Sequence, residues 1–198
     1  MKLFWISTLL VIGLVSTSTG QHSSYGISIG AGKGIILKES LEGGPSYKVN
    51  TSISIGLQYS RKLTDILHIA TGINWYNNKI TVTPSFHPNM DMTAKNYNLQ
   101  LIYIPVFLRA DLSNYFFVNG GLIGDFDVTS TKHITNQSGV GAGLGIGAEF
   151  PIKGNLSIQL NPYLNFHGLF LTDGDTYPER VVDSGIKLSF IVNKEKGK

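Results

Sequence analysis

Apolar and polar residues alternate along most of the chain with a period of two. Residues 139–150, GVGAGLGIGAEF, are the clearest case: the even positions are apolar, and glycine fills every odd position except the last. Successive side chains of a β-strand point to opposite faces, so this period predicts a strand with one apolar and one nearly bare face. The run is too short for a membrane-spanning helix, which needs about 20 apolar residues. It also lacks the helix start that a dinucleotide-binding glycine loop requires.

Alternating segments of this kind follow one another along the chain beyond residue 21. The connections between them alternate between long and short. Long connections therefore all fall at one end of an up-and-down array of strands, and short turns at the other. An even number of strands of about 10 residues with this asymmetry predicts an all-β fold, an eight-stranded antiparallel up-and-down transmembrane β-barrel. The predicted strands are 25–37, 49–60, 66–77, 97–109, 115–126, 139–150, 156–167 and 181–192.

The alternative is a soluble, lipocalin-like barrel, secreted or periplasmic, whose apolar face would point inward to bind an apolar small molecule. The polar faces here favour the membrane barrel, because they consist of glycine, serine, asparagine and glutamine with few charges. Such small residues suit the crowded interior of an eight-stranded barrel. In the fourth strand both faces are apolar, and its even positions are expected to fill the interior: Ile102, Ile104, Val106 and Leu108.

Aromatic residues on the apolar faces gather at the strand ends, where they predict the two interfacial girdles of a membrane barrel. The expected members at the short-turn end are Tyr25, Tyr59, Phe107, Phe116, Phe150 and Phe190, and at the long-loop end Trp75, Tyr97, Phe126 and Phe166. Lys33 has the outward phase near headgroup height, where contact with lipid phosphates is expected, although the flanking Gly32 and Gly34 also permit a bulge that would change the register.

Composition agrees with an exported membrane protein. Charged residues make up only 15% of the chain, there is no cysteine, and the net charge of +3 is too small to indicate nucleic acid as a partner. Residues 1–20 combine Lys2, an apolar run and small residues, which is typical of a cleaved signal peptide. The expected domains are therefore a signal peptide at 1–20 and an outer-membrane β-barrel at 21–198.

Three segments resemble the PorT-like outer-membrane β-barrel family of Bacteroidetes-type bacteria. They are Leu101–Arg109 (LIYIPVFLR), Asn119–Gly124 (NGGLIG) and Gly141–Phe150 (GAGLGIGAEF). The chain departs from the family pattern at Tyr103, where an acidic residue usually precedes the Ile-Pro pair. The resemblance implies an outer-membrane location and an eight-stranded barrel. It implies no single activity.

The predicted lumen charge cluster consists of Glu149, Lys187, Asp183 and Arg109. By phase Glu149, Asp183 and Lys187 point inward, and Glu149 and Lys187 are expected to pair, since an isolated buried charge is costly. Arg109 has the outward phase, so it either reaches the interface or is turned towards Glu149 by a bulge near Pro105.

No catalytic, cofactor or metal site is predicted, although a rim hydrolase built from His167, Ser138 and Asp173 is a third alternative. The main expectation is a non-enzymatic outer-membrane protein with a filled lumen, periplasmic termini and extracellular long loops. Its role would be structural or recognitive. The expected partners are outer-membrane lipids and an extracellular or envelope protein.

Overall fold

The computed structural model describes residues 22–37, 46–84, 93–129, 135–171 and 179–194. The signal peptide lies outside these residues and stays a prediction. No helix in these ranges is long and apolar enough to cross a membrane. The strands are β1 Ser23–Leu37, β2 Ser46–Lys62, β3 Leu67–Thr83, β4 Lys95–Asp111, β5 Phe116–Asp127, β6 Gly139–Lys153, β7 Leu156–Leu171 and β8 Arg180–Lys194.

The strands close into one barrel in which each is antiparallel to its sequence neighbours and β1 pairs with β8. The β1–β8 ladder runs without a shift from Ser23↔Lys194 to Leu37↔Arg180. Closure leaves no free sheet edge, so backbone donors and acceptors find partners within the wall. The predicted eight-stranded barrel is confirmed.

The apolar side of the wall faces outward. Ile146 and Leu160 are 57% and 42% exposed, whereas Gln159 on the opposite face is 6% exposed and Gly143 is buried. A soluble ligand-carrying barrel would have the reverse arrangement, so the lipocalin-like alternative is wrong.

The bare glycine face of β6 provides room for large side chains from the neighbouring wall. A Cβ atom at Gly143 would lie 2.6 Å from Cζ of Phe107 and 3.0 Å from Cδ1 of Ile123. At Gly147 it would collide with the ring of Phe117, which is fully buried. Glycine is therefore required at these positions because the interior is already occupied.

The orientation expected for β4 is wrong. Its odd-numbered residues face the lumen, where Leu99 and Leu101 are fully buried, while Val106 and Leu108 are 51% and 52% exposed on the outside. The even-numbered set that was expected to fill the interior, Ile102, Ile104, Val106 and Leu108, therefore faces outward. Both faces of β4 are apolar, so the alternation could not decide between them.

The reversal of β4 removes two residues from the expected girdles, because Tyr97 and Phe107 pack against the buried core inside the barrel. The other eight girdle residues have the outward phase; Tyr25 and Phe116, for example, are 51% and 55% exposed. Tyr25 and Tyr59 form a tilted ring pair with centroids 5.2 Å apart.

A bulge reverses the phase at the long-loop end of β2. Between Val49 and Ser52 β2 has one residue more than β3, so the register of the β2–β3 ladder shifts by one. Strict alternation from the outward Ile53 and Ile55 predicts that Val49 faces outward, but Val49 is instead 6% exposed within the core. A β-bulge changes the side-chain phase in this way, since it leaves one residue unpaired.

We expect Gly143→Val to lower the free energy of unfolding by about 2 kcal/mol, because the new side chain would overpack the interior against Phe107 and Ile123. The matched control is Ala142→Val, which also introduces a valine one residue away but directs its added methyl groups outward. Urea unfolding in detergent micelles, followed by Trp75 fluorescence, measures both. Equal effects of the two substitutions would contradict the assignment of faces.

Candidate functional site

Polar and charged side chains inside the barrel form three layers, and the lowest layer lies at the short-turn end. Arg109 on β4 donates from Nη1 to Oε2 of Glu149 at 2.6 Å and from Nε to Oδ1 of Asp111 at 2.8 Å. Its guanidinium lies 4.1 Å from the centroid of the Phe117 ring. His68 Nε2 is 2.9 Å from Oδ2 of Asp111. The layer therefore joins β3, β4 and β6 through titratable side chains.

Arg109 reaches this position without a bulge. The β4–β5 ladder keeps one register from Leu101↔Asp127 through Pro105↔Ile123 to Asp111↔Phe117. Arg109 points inward because all odd-numbered residues of β4 do. Of the two alternatives for Arg109, the inward position towards Glu149 is the one observed, but no bulge produces it.

Glu149 and Lys187 do not form the expected pair, because Glu149 is taken by Arg109. Both Glu149 and Lys187 line a cavity of about 80 Å³ inside the barrel, together with Asn119, Gln159 and Asn161. A second cavity of about 290 Å³ opens at the short-turn end beside His68 and Asp111. Arg109 and Glu149 line both cavities, so their ion pair lies where the inner space and the outer one meet.

His68 lies at the short-turn end of the wall, on the second residue of β3 and beyond the level of Tyr59. Burial lowers the pKa of its imidazole, and the Asp111 carboxylate opposes that shift. Desolvation of the charged form is the dominant cause.

The middle layer surrounds Lys187 and Asp183, which lie on the same face of β8. Lys187 donates from Nζ to the Tyr103 hydroxyl at 3.3 Å and lies 5.4 Å from the centroid of the Tyr163 ring. Asp183, 1% exposed, accepts from Ser52 Oγ at 2.7 Å and from the Tyr163 hydroxyl at 2.8 Å. Hydroxyl donors thus satisfy a buried carboxylate, as buried polar groups require.

The upper layer is a fully buried pair of His167 and Asp125. His167 Nδ1 lies 2.7 Å from Oδ1 of Asp125, and the Gly168 N–H donates to Oδ2 at 3.0 Å. Gly168 has a φ of 58° at an irregularity in the β6–β7 ladder, a left-handed conformation that glycine adopts readily. Tyr76 and Tyr103 flank the imidazole, each with its ring centroid 5.5 Å away.

This geometry does not support the rim hydrolase. His167 is fully buried in the lumen and its carboxylate partner is Asp125. Ser138 Oγ accepts from the Asp127 N–H. Asp173 lies outside the described residues.

Gln137 ties the long connections together at their bases. It is fully buried; its Nε2 donates to the Glu179 carbonyl at 2.7 Å and its Oε1 accepts from the Val181 N–H at 3.2 Å. Beside it, the Tyr47 hydroxyl bonds to Glu179, and burial raises the pKa of Tyr47. Arg180 donates to the Gly168 carbonyl. Hydrogen bonds therefore hold the bases of the long connections together at the rim of this end of the barrel.

Several of these residues were missed by sequence reasoning, namely Asp125, Tyr163, Tyr103 and Gln137. Asp125 follows the phase of Ile123 and could have been assigned inward, which would have made it a candidate partner for the inward His167. Within the described residues, no three His, Cys, Asp or Glu side chains are grouped so that they could hold a metal ion.

Comparison with known proteins gives a family and two similar folds. The sequence profile described as "Outer membrane protein beta-barrel domain" matches residues 7–167. No curated protein sequence matches the chain. The outer membrane protein OprG from Pseudomonas aeruginosa is 11% identical with a TM-score of 0.52, covering 90% of this chain and 97% of its own. The outer membrane protein AlkL, determined in DMPC bilayers, is 7% identical with a TM-score of 0.56, covering 92% and 96%. At these identities the likeness shows the fold alone.

We expect Glu149→Leu to lower the free energy of unfolding by about 3 kcal/mol, because it leaves the mostly buried Arg109 with one carboxylate fewer. The two side chains are only 15% and 18% exposed, so solvent screens their attraction little. The double variant Arg109→Met/Glu149→Leu should recover most of the loss. The control is Lys62→Gln, whose partner Asp65 is fully exposed and whose loss should not change stability. A double variant less stable than Glu149→Leu would contradict this pairing.

Proposed function

Because the chain belongs to the outer membrane protein beta-barrel domain family, we propose that this outer-membrane protein is a barrel with a filled lumen and a structural or recognition role. It acts through the connections at its long-loop end, which we place outside the cell. The role is non-enzymatic. We also infer that it groups with the PorT-like barrels; the three segments that resemble that family support this.

The observation that carries the proposal is the core inside the long-loop half of the barrel. Its members come from β2, β3, β4, β5 and β8, and each is at most 6% exposed. They are Val49, Tyr76, Ile80, Leu99, Leu101, Tyr103, Ile123 and Val181. Close packing of this kind supports a lumen without an aqueous path, because the interior of an eight-stranded barrel is just wide enough for side chains to fill.

The short-turn half supports the same conclusion in a different way. Its inner cavity of about 80 Å³ is bounded below by the Arg109–Glu149 ion pair. The lumen therefore has two barriers, one ionic and one apolar. A porin would need a continuous polar channel, so transport through the lumen is not the role that this interior favours.

A rigid barrel whose rim is held together by hydrogen bonds can present its loops to a binding partner. Gln137 links the connection that precedes β6 to the one that precedes β8, and Asp127 accepts from the N–H groups of Thr129 and Gln137. Loops held on a rigid scaffold often carry binding functions. We propose an extracellular or envelope protein as the partner.

In planar lipid bilayers, the wild-type protein should show no stepwise conductance. Glu149→Ala should not conduct either, although it joins the two cavities of the short-turn half, because the apolar core above remains. Ion currents through either form would contradict the filled lumen. Heat-dependent migration in SDS gels confirms that each inserted sample is a folded barrel.

Recognition by the long loops can be tested by replacing residues 85–92 with a Gly-Ser linker of equal length. We expect a folded barrel with reduced binding of the expressing cells to matrix proteins or to neighbouring cells. The same replacement at residues 38–45 shows which loop matters. Full binding after both replacements would contradict a recognition role for these two loops.

A further inference from the structure

The outer wall of β8 and β1–β4 bears a groove of about 510 Å³ between two rows of apolar side chains. Both rows follow the pairing register from strand to strand. The upper row is Ile29, Ile55, Trp75 and Ile102, and the lower row is Phe190, Ile27, Leu57 and Ile73. Seven of the eight are exposed to the surroundings of the barrel, Trp75 by 40% and Leu57 by 59%.

The floor of the groove consists of Ser28, Gly56 and Asn74, which lie opposite one another on β1, β2 and β3. Their side-chain positions point into the lumen; a Cβ at Gly56 would meet Asn74 there. Only backbone therefore lies between the rows, which are two residues or about 7 Å apart along each strand. The groove crosses five strands, a length of about 19 Å.

Three lysines lie on the same face above this groove, towards the long-loop end. Lys33 is four residues beyond Ile29 on β1, and Lys79 is four residues beyond Trp75 on β3, a rise of about 13 Å along each strand. Lys48 on β2 is opposite Thr81, two residues from Lys79. All three are exposed, and the bulge in β2 that turns Val49 inward gives Lys48 its outward phase.

The charge of these lysines is not balanced by the described part of the chain. Its acidic residues at this end are Asp125, Asp127, Glu179 and Asp183, and each is occupied elsewhere. Asp125 and Asp183 are buried in the lumen, Asp127 accepts from backbone N–H groups, and Glu179 bonds to Tyr47. The outward neighbours of the lysines are uncharged: Asn50 donates to Thr81 at 3.4 Å, and Thr81 donates to Asn96 at 2.7 Å.

We propose that this face of β1–β3 binds a membrane lipid with an anionic, phosphate-bearing headgroup. The groove takes one acyl chain, and Lys33, Lys48 and Lys79 bind the phosphate. Charge complementarity selects the headgroup, because clustered ammonium groups attract anionic lipids at the membrane surface. The groove selects a lipid over a soluble phosphate, since it lies on the outward apolar wall that contacts acyl chains.

Trp75 reports directly on the site, since it lies in the upper row of the groove and the only other tryptophan is Trp5. The full chain with Trp5→Phe is reconstituted into phosphatidylcholine bilayers with a small fraction of lipid carrying brominated acyl chains, which quench tryptophan fluorescence on contact. Brominated phosphatidylglycerol should quench Trp75 preferentially over brominated phosphatidylcholine, by about tenfold in relative binding constant. Added salt should lower the preference.

The triple variant Lys33→Gln/Lys48→Gln/Lys79→Gln should reduce the preference to near unity. The matched control, Lys62→Gln/Lys153→Gln/Lys194→Gln, removes the same charge at the short-turn end and should retain it. A preference that survives in the first variant, or that is lost equally in both, overturns the proposal. Loss of the preference for phosphatidylglycerol in millimolar glycerol 3-phosphate would also overturn the proposal. The lysines would then bind a free phosphate as well as the lipid, and the groove would have no part in binding.

Discussion

The pairing of every backbone donor and acceptor is the constraint on which this structure depends. In hydrocarbon an unpaired N–H or C=O group costs several kcal/mol, and only a helix or a closed sheet avoids that cost. Here the β1–β8 ladder closes the sheet over its full length. Closure then fixes the side chains, because each strand has one face towards lipid and one towards an interior only a few side chains wide. The sequence alternates for this reason.

The narrow interior has to be filled without a collision, and β6 solves this with glycine. Gly143 and Gly147 leave space for Phe107, Ile123 and Phe117 of the neighbouring strands. The charged and polar groups inside are linked between strands: Arg109 to Glu149, His167 to Asp125, and Asp183 to Ser52 and Tyr163. A slip of one residue would turn each of them to lipid, so these links stabilise the register as well as the interior.

Much of this fold could be predicted from the alternation of residues, because seven of the eight strands have one face that is clearly the more apolar. The alternation failed at β4, where Leu101 and Ile102 are equally apolar. The decisive information there was Arg109, since a cation with an inward phase can meet Glu149 and one with an outward phase cannot. The error at Val49 has a different origin. The bulge that turns Val49 inward lies in the stretch VNTS. This stretch has no glycine or proline, so nothing in the sequence indicates the extra residue.

The same alternation keeps the two surfaces of the wall chemically independent. Lys33 and Lys79 point outward, whereas Lys187 points inward to Tyr103. Lysines of the same sheet therefore face either the outside or the lumen, depending only on their position in the alternation. Binding at the outer wall therefore need not disturb the core. Likewise, the core need not open for a partner to bind at the outer wall or at the rim. A barrel with a packed interior has its solvent- and lipid-accessible chemistry at these two places. Partners can therefore reach this protein at the outer wall of β1–β3 and at the rim, where Gln137 joins the long connections.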